Sequence, residues 1–148
     1  MTRIGEVAVF RLMNEFNRAM LGSLAKPWRL WLALLLAANM VVPLFFIGTI
    51  EGIAVLVAFV VSAILQMMIF RSKGYVRLLG AGHAPWVVLL AWLIPRIPEA
   101  PAATVFGIWI VAVVVVDGIS LTIDAIEVAR YIGGDRTPTY RFGVTGRV

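Results

Sequence analysis

Four stretches of this chain stay apolar for longer than a soluble domain can use. They cover residues of about 28–48, 53–70, 78–95 and 103–124, and the last continues as a helix to 132. A helix on a soluble core shows one apolar stripe, whereas these are apolar all round. Lipid offers backbone N–H and C=O groups no water, so each stretch must close its hydrogen bonds as a helix. The composition agrees: 61% of the 148 residues are hydrophobic and 14% charged, against about 25% charged in an ordinary soluble domain. The expected fold is all-α, a polytopic membrane protein built as a four-transmembrane-helix bundle with an N-terminal amphipathic interfacial helix.

That first helix is expected within residues 1–27. Val9, Leu12, Met13, Phe16, Ala19 and Met20 recur at helical spacing, with Arg3, Glu6, Arg11, Asn14, Asn17 and Arg18 largely opposite. The segment lacks a secretory h-region and cleavage site. It reads as a helix lying in the membrane interface, with docking on a soluble partner as the alternative.

In the first span Pro43 has no N–H for the carbonyl of Asn39, which predicts a kink there. Asn39 is expected to bond a neighbouring helix. Gly48 to Gly52 is too short to be anything but a tight connection, so spans one and two are antiparallel neighbours. Span two repeats small residues every four positions, Ala54, Ala58 and Ser62, and ends that seam on Gln66. Span three is the shortest. Gly80, Gly82 and Pro85 interrupt it, and Leu78 to Trp86 is expected as an interface loop, or else as a broken helix with His83 at the break. The span crosses fully only if its helix starts near Leu78; otherwise it is re-entrant. Residues 133–148 form a basic tail.

Lys and Arg set the orientation. The N-terminal arm, the 71–77 connection (Arg71, Lys73, Arg77) and the tail are basic, while the first connection has neither residue and the third has Arg96 alone. Both termini are therefore expected in the cytoplasm, in what reads as a bacterial inner membrane. The net charge of +5 is topological on this reading, so lipid rather than nucleic acid is the expected contact.

The last span carries the candidate chemistry. Asp117, Ser120, Asp124 and Glu127 fall on one face of it. With the helix entering near Ala103, Asp117 lies about 21 Å along it, within the hydrocarbon. A charged carboxylate at the bilayer centre costs about 2.5–3.5 kcal/mol on insertion scales, so Asp117 is expected to face the bundle or carry a proton. Asp124 and Glu127 are expected near the cytoplasmic boundary, with Arg71, Lys73, Arg77 and Arg29 as ready ion-pair partners. Asn39, Gln66, Ser120 and His83 are the other polar groups near membrane depth. Each of these residues also has a structural reading, as a hydrogen bond or ion pair locking helix to helix.

Enzyme patterns are approached but not met. Asp117-Gly118 with Ala129-Arg130 is similar to the CDP-alcohol phosphotransferase motif, but there two residues separate the pairs and here ten do. Gly133-Gly134-Asp135 resembles the Gly-x-Gly-Asp of intramembrane aspartyl proteases, but falls after the helix. No Walker A, Rossmann or HExxH pattern is present. With no cysteine, one histidine and two adjacent methionines (Met67, Met68) on different faces, no metal and no cofactor is expected. The expectation is a non-enzymatic small membrane protein. It reads as an oligomeric channel or transporter handling protons, cations or a small solute, or alternatively as an accessory or assembly subunit of a larger membrane complex.

Overall fold

The computed structural model describes residues 2–23, 26–99 and 104–136. Five α-helices make up most of it: α1 (Thr2–Ser23), α2 (Lys26–Leu36), α3 (Ile50–Lys73), α4 (Ala84–Leu93) and α5 (Val105–Ile132). Among the described residues there is no strand. Four helical stretches are long and apolar enough to cross a membrane: Lys26–Phe46, Ile50–Lys73, Arg77–Ile97 and Val105–Ile132. From residue 137 onward the expected tail, with Arg141 and Arg147, lies outside the described residues.

Pro43 shapes the first span. Past α2 the chain passes through a π-helical turn (Ala37–Val41) and then a 3-10 turn (Val42–Phe46). The Val42 N–H bonds the Ala37 carbonyl, five residues back. In that register the carbonyl that Pro43 would serve is Ala38, not Asn39, which corrects the α-helical expectation. Trp109 on α5 supplies the missing donor: its Nε1–H reaches the Ala38 oxygen at 2.8 Å, in the buried core. The same indole stacks on Phe46 with ring centroids 4.9 Å apart, and Phe106 packs edge-on against Phe46.

The turn into α3 is tight. Thr49 caps that helix, its hydroxyl accepting from the Gly52 N–H at 3.1 Å and donating to the Phe46 carbonyl. Thr104 caps α5 in the same way, accepting from the Gly107 N–H. In the small-residue seam of α3, Ala58 and Ser62 are buried and Ala54 and Gln66 half-buried. The seam is thus consumed within the bundle, where close packing substitutes for the hydrophobic drive that lipid does not supply.

Span three corrects the loop expectation. Arg77–His83 is a 3-10 helix that runs into α4, and Ile94–Glu99 is a second one. A 3-10 helix rises about 2.0 Å per residue, more than an α-helix, so the ten residues of α4 need not cross alone. With its flanking turns the stretch reaches roughly 40 Å, more than the ~30 Å hydrocarbon core that a crossing requires. Arg96 ties its far end to α3, 3.7 Å from Glu51, while its guanidinium lies over the Trp92 ring.

α1 is not adrift from the bundle. Phe16, on its apolar face, packs edge-on against Phe70 in the last turns of α3, at 5.4 Å between centroids, and near Tyr75. Arg11, Asn14, Glu15, Asn17 and Arg18 are exposed.

Candidate functional site: the polar face of the last helix

The acids of α5 each meet a different neighbour. Asp117 lies twelve residues into the helix, about 18 Å from its start. It is 3% exposed, as is Asn39 on the first span. The Asn39 Nδ2 donates to Asp117 Oδ1 at 2.7 Å. That contact forms because the π-turn carries Asn39 to the buried side of its helix. Two oxygens at the pair, Asn39 Oδ1 and Asp117 Oδ2, are buried with no hydrogen-bond partner among the described residues. Buried polar atoms rarely stay unpaired, and the exceptions mark places where a proton, a water or an ion can act.

Two turns along, Asp124 does not meet an arginine. Its Oδ2 lies 2.6 Å from His83 Nδ1, and His83 Nε2 lies 2.5 Å from Gln66 Nε2. One histidine therefore joins three spans. An amide nitrogen can only donate, so in this arrangement His83 Nε2 accepts and Nδ1–H donates to the carboxylate. The imidazole is neutral in that tautomer. A doubly protonated ring requires the Gln66 amide to turn over and present its oxygen.

Two glycines make this contact possible. A Cβ on Gly80 would stand 2.9 Å from Asp124 Cβ, and one on Gly82 would stand 2.5 Å from Gln66 Cγ. The 3-10 turn is wedged between α3 and α5, and only hydrogen at those two positions lets it in. In the sequence these glycines read as helix breakers; their work is close approach.

Glu127 is buried and pairs with Arg77, the first residue of the same 3-10 turn. Arg77 also lies 3.4 Å from Asp135, and Arg130 lies 3.7 Å from Glu127. Of Arg71, Lys73 and Arg77, the one ion-paired with these acids among the described residues is Arg77. Arg71 and Lys73 are exposed in the last turn of α3, where cations complement the helix C-terminus. Arg77, by contrast, begins the element packed against α5. Ser120 is half-buried on the same face, and no hydrogen bond joins it to the acids.

Sequence reasoning overlooked three features. The Trp109–Ala38 bond was signalled by Pro43 together with an indole on another span. The His83 bridge was signalled by the Gly-x-Gly-His spacing at 80–83. Ser62 Oγ, a further buried oxygen without a partner among the described residues, reads in the sequence only as a small residue. Among the described residues no three carboxylate or imidazole groups converge as metal ligands would. Compared with protein-family models, curated proteins and solved structures, the chain matches none. What the fold defines is therefore the class: a small helical membrane protein with four helices able to span the bilayer.

Proposed function

We propose that this protein handles protons in the membrane through the polar face of α5, with Asp117 as the deep exchanging group and the Asp124–His83–Gln66 bridge and Glu127–Arg77 pair nearer the basic end. The observation that carries this reading is Asp117 itself. It is buried midway along a membrane-length helix, held by one amide and with one carboxyl oxygen unpartnered among the described residues. A purely structural link needs no such oxygen. The bridge supports protons over a hydrated solute, because Asp124, His83 and Gln66 are bonded to one another and Gly80 and Gly82 pack closely against Asp124 and Gln66. On this reading the protein is not an enzyme. Its basic end, where α1 joins, lies on the cytoplasmic side of a bacterial inner membrane. It works as a homo-oligomer, since four packed helices enclose little volume alone.

Purified protein in liposomes carrying an internal pH dye tests the proposal. Wild type is expected to dissipate an imposed pH gradient and Asp117→Asn to abolish that flux while remaining folded. A wild type that leaves the gradient intact would sink it.

A second reading is an accessory or assembly subunit of a larger complex. It is favoured by the intramolecular pairing of Asp124 and Glu127, which serves rigidity as well as relay, and by the exposed polar face of α1. That reading expects a large membrane partner to co-purify in mild detergent.

A further inference from the structure

The two span pairs share a pattern at a spacing of 55 residues. Pro43 and Pro98, Thr49 and Thr104, and Gly52 and Gly107 correspond, and each threonine caps its helix by accepting from the glycine N–H at 3.1 Å. In that register Ser62 on α3 is the counterpart of Asp117 on α5. Each lies twelve residues into its helix, about 18 Å from the start. Each also continues the most buried stripe of its helix. Ser62 follows Val55 and Ala58 by two turns and one, and Asp117 follows Ile110 and Val113 in the same way. α3 and α5 are separated by one crossing and run in the same direction. His83 bonds Gln66 of one and Asp124 of the other, which fixes their relative depth. Ser62 and Asp117 therefore face the middle of the bundle in one layer, and Asn39 belongs to that layer through its bond to Asp117.

Ser62 is 2% exposed, and its Oγ, like Asn39 Oδ1 and Asp117 Oδ2, has no hydrogen-bond partner among the described residues. A hydroxyl within a helix commonly bonds back to its own backbone, as Thr122 does to the Gly118 carbonyl at 2.8 Å. Ser62 does not. Three buried oxygens without partners in one layer match the needs of a buried water, which typically makes about three hydrogen bonds.

We infer that Ser62, Asn39 and Asp117 hold one water molecule between them, the hydrogen-bond partner of the exchanging carboxyl. With Asp117 ionised, the water gives one O–H to Asp117 Oδ2 and the other to Asn39 Oδ1, and accepts from the Ser62 hydroxyl. With Asp117 protonated, Oδ2–H donates to the water oxygen, and the water donates to Asn39 Oδ1 and Ser62 Oγ. A metal cation would serve the ionised state alone. The water's part in exchange rests on the proton-handling reading; its binding does not.

The test joins a crystal structure from a lipid mesophase, at a resolution that shows ordered water, to proton flux in liposomes. The expected result is one peak about 2.5–3.0 Å from each of the three oxygens. Ser62→Ala, a smaller side chain among small neighbours, is expected to fold, to lower the flux about tenfold and to move the infrared C=O band of protonated Asp117. No peak between the three oxygens overturns the site, and contacts all shorter than about 2.5 Å overturn the water in favour of a metal cation. A Ser62→Ala variant with wild-type flux and an unmoved band overturns the water's role. A water in place in a protein that carries no protons supports the site and sinks the proton-handling reading alone, whereas wild-type flux without that water sinks this inference alone.

Discussion

Asn39 and Asp117 meet side chain to side chain at 2.7 Å in the buried interior of the bundle, and each keeps one oxygen unpaired among the described residues. The amide holds the carboxyl without saturating it. A proton on Asp117 Oδ2 makes that atom a donor, and removing the proton leaves an acceptor with no partner among the described residues. The pair is a helix-to-helix link and a place for one exchangeable proton at once.

Removing the amide exposes the structural part of that role. Asn39→Ala leaves the carboxyl without its donor and is expected to lower stability by about 1–3 kcal/mol. Asp117→Asn keeps an amide at the same place and is expected to unfold close to wild type. Unfolding in mixed micelles of increasing SDS fraction measures both.

The two glycines of the 3-10 turn should be intolerant of a methyl group. Gly80→Ala and Gly82→Ala drive a Cβ into Asp124 and Gln66, and each is expected to cost about 1–3 kcal/mol. Gly118→Ala has nothing within 4 Å of the added carbon and is expected to be neutral or mildly stabilising. The same unfolding assay separates them.

Much of this architecture is legible in the sequence, and the residues show why the rest is not. Apolar length alone marks the four spans, because lipid permits only closed backbone bonding. Pro43 announces an irregularity, but the register of the irregular turn decides which carbonyl is deprived, and a π-turn moved it from Asn39 to Ala38. The face holding Asp117, Asp124 and Glu127 follows from helical geometry. Their partners do not, because they sit on other helices: Asp124 met His83 rather than an arginine, and Glu127 took Arg77 while Arg71 and Lys73 stayed exposed. The glycines at 80 and 82 carry the same letters whether they break a helix or admit a neighbour, and only the packing tells these apart.

Trp109 and Pro43 should be coupled. Trp109→Phe retains an aromatic ring beside Phe46 but removes the donor to Ala38, at an expected cost of about 1 kcal/mol. Pro43→Ala restores a backbone N–H that can serve the same carbonyl. In a double-mutant cycle Trp109→Phe should therefore cost less in the Pro43→Ala background than in wild type.

The Glu127–Arg77 pair should be costly to break from either side. Glu127→Gln or Arg77→Gln removes the closest contact of a buried ion pair, leaving Arg77 the more distant Asp135 and Glu127 the more distant Arg130, and is expected to destabilise by roughly 1–3 kcal/mol. Replacing both with leucine and methionine should recover part of that loss. Thermal unfolding in detergent, followed by circular dichroism, reads each variant.

The central claim is that Asp117 exchanges a proton, and infrared difference spectroscopy of the protein in lipid, recorded across a pH titration, reads that exchange on the carboxyl itself. The account predicts a carboxylic-acid C=O band that changes with pH, shifts in D2O and is missing from Asp117→Asn alone among single substitutions of the α5 acids. A difference spectrum that is the same in wild type and Asp117→Asn would contradict it, leaving Asp117 as a structural link to Asn39.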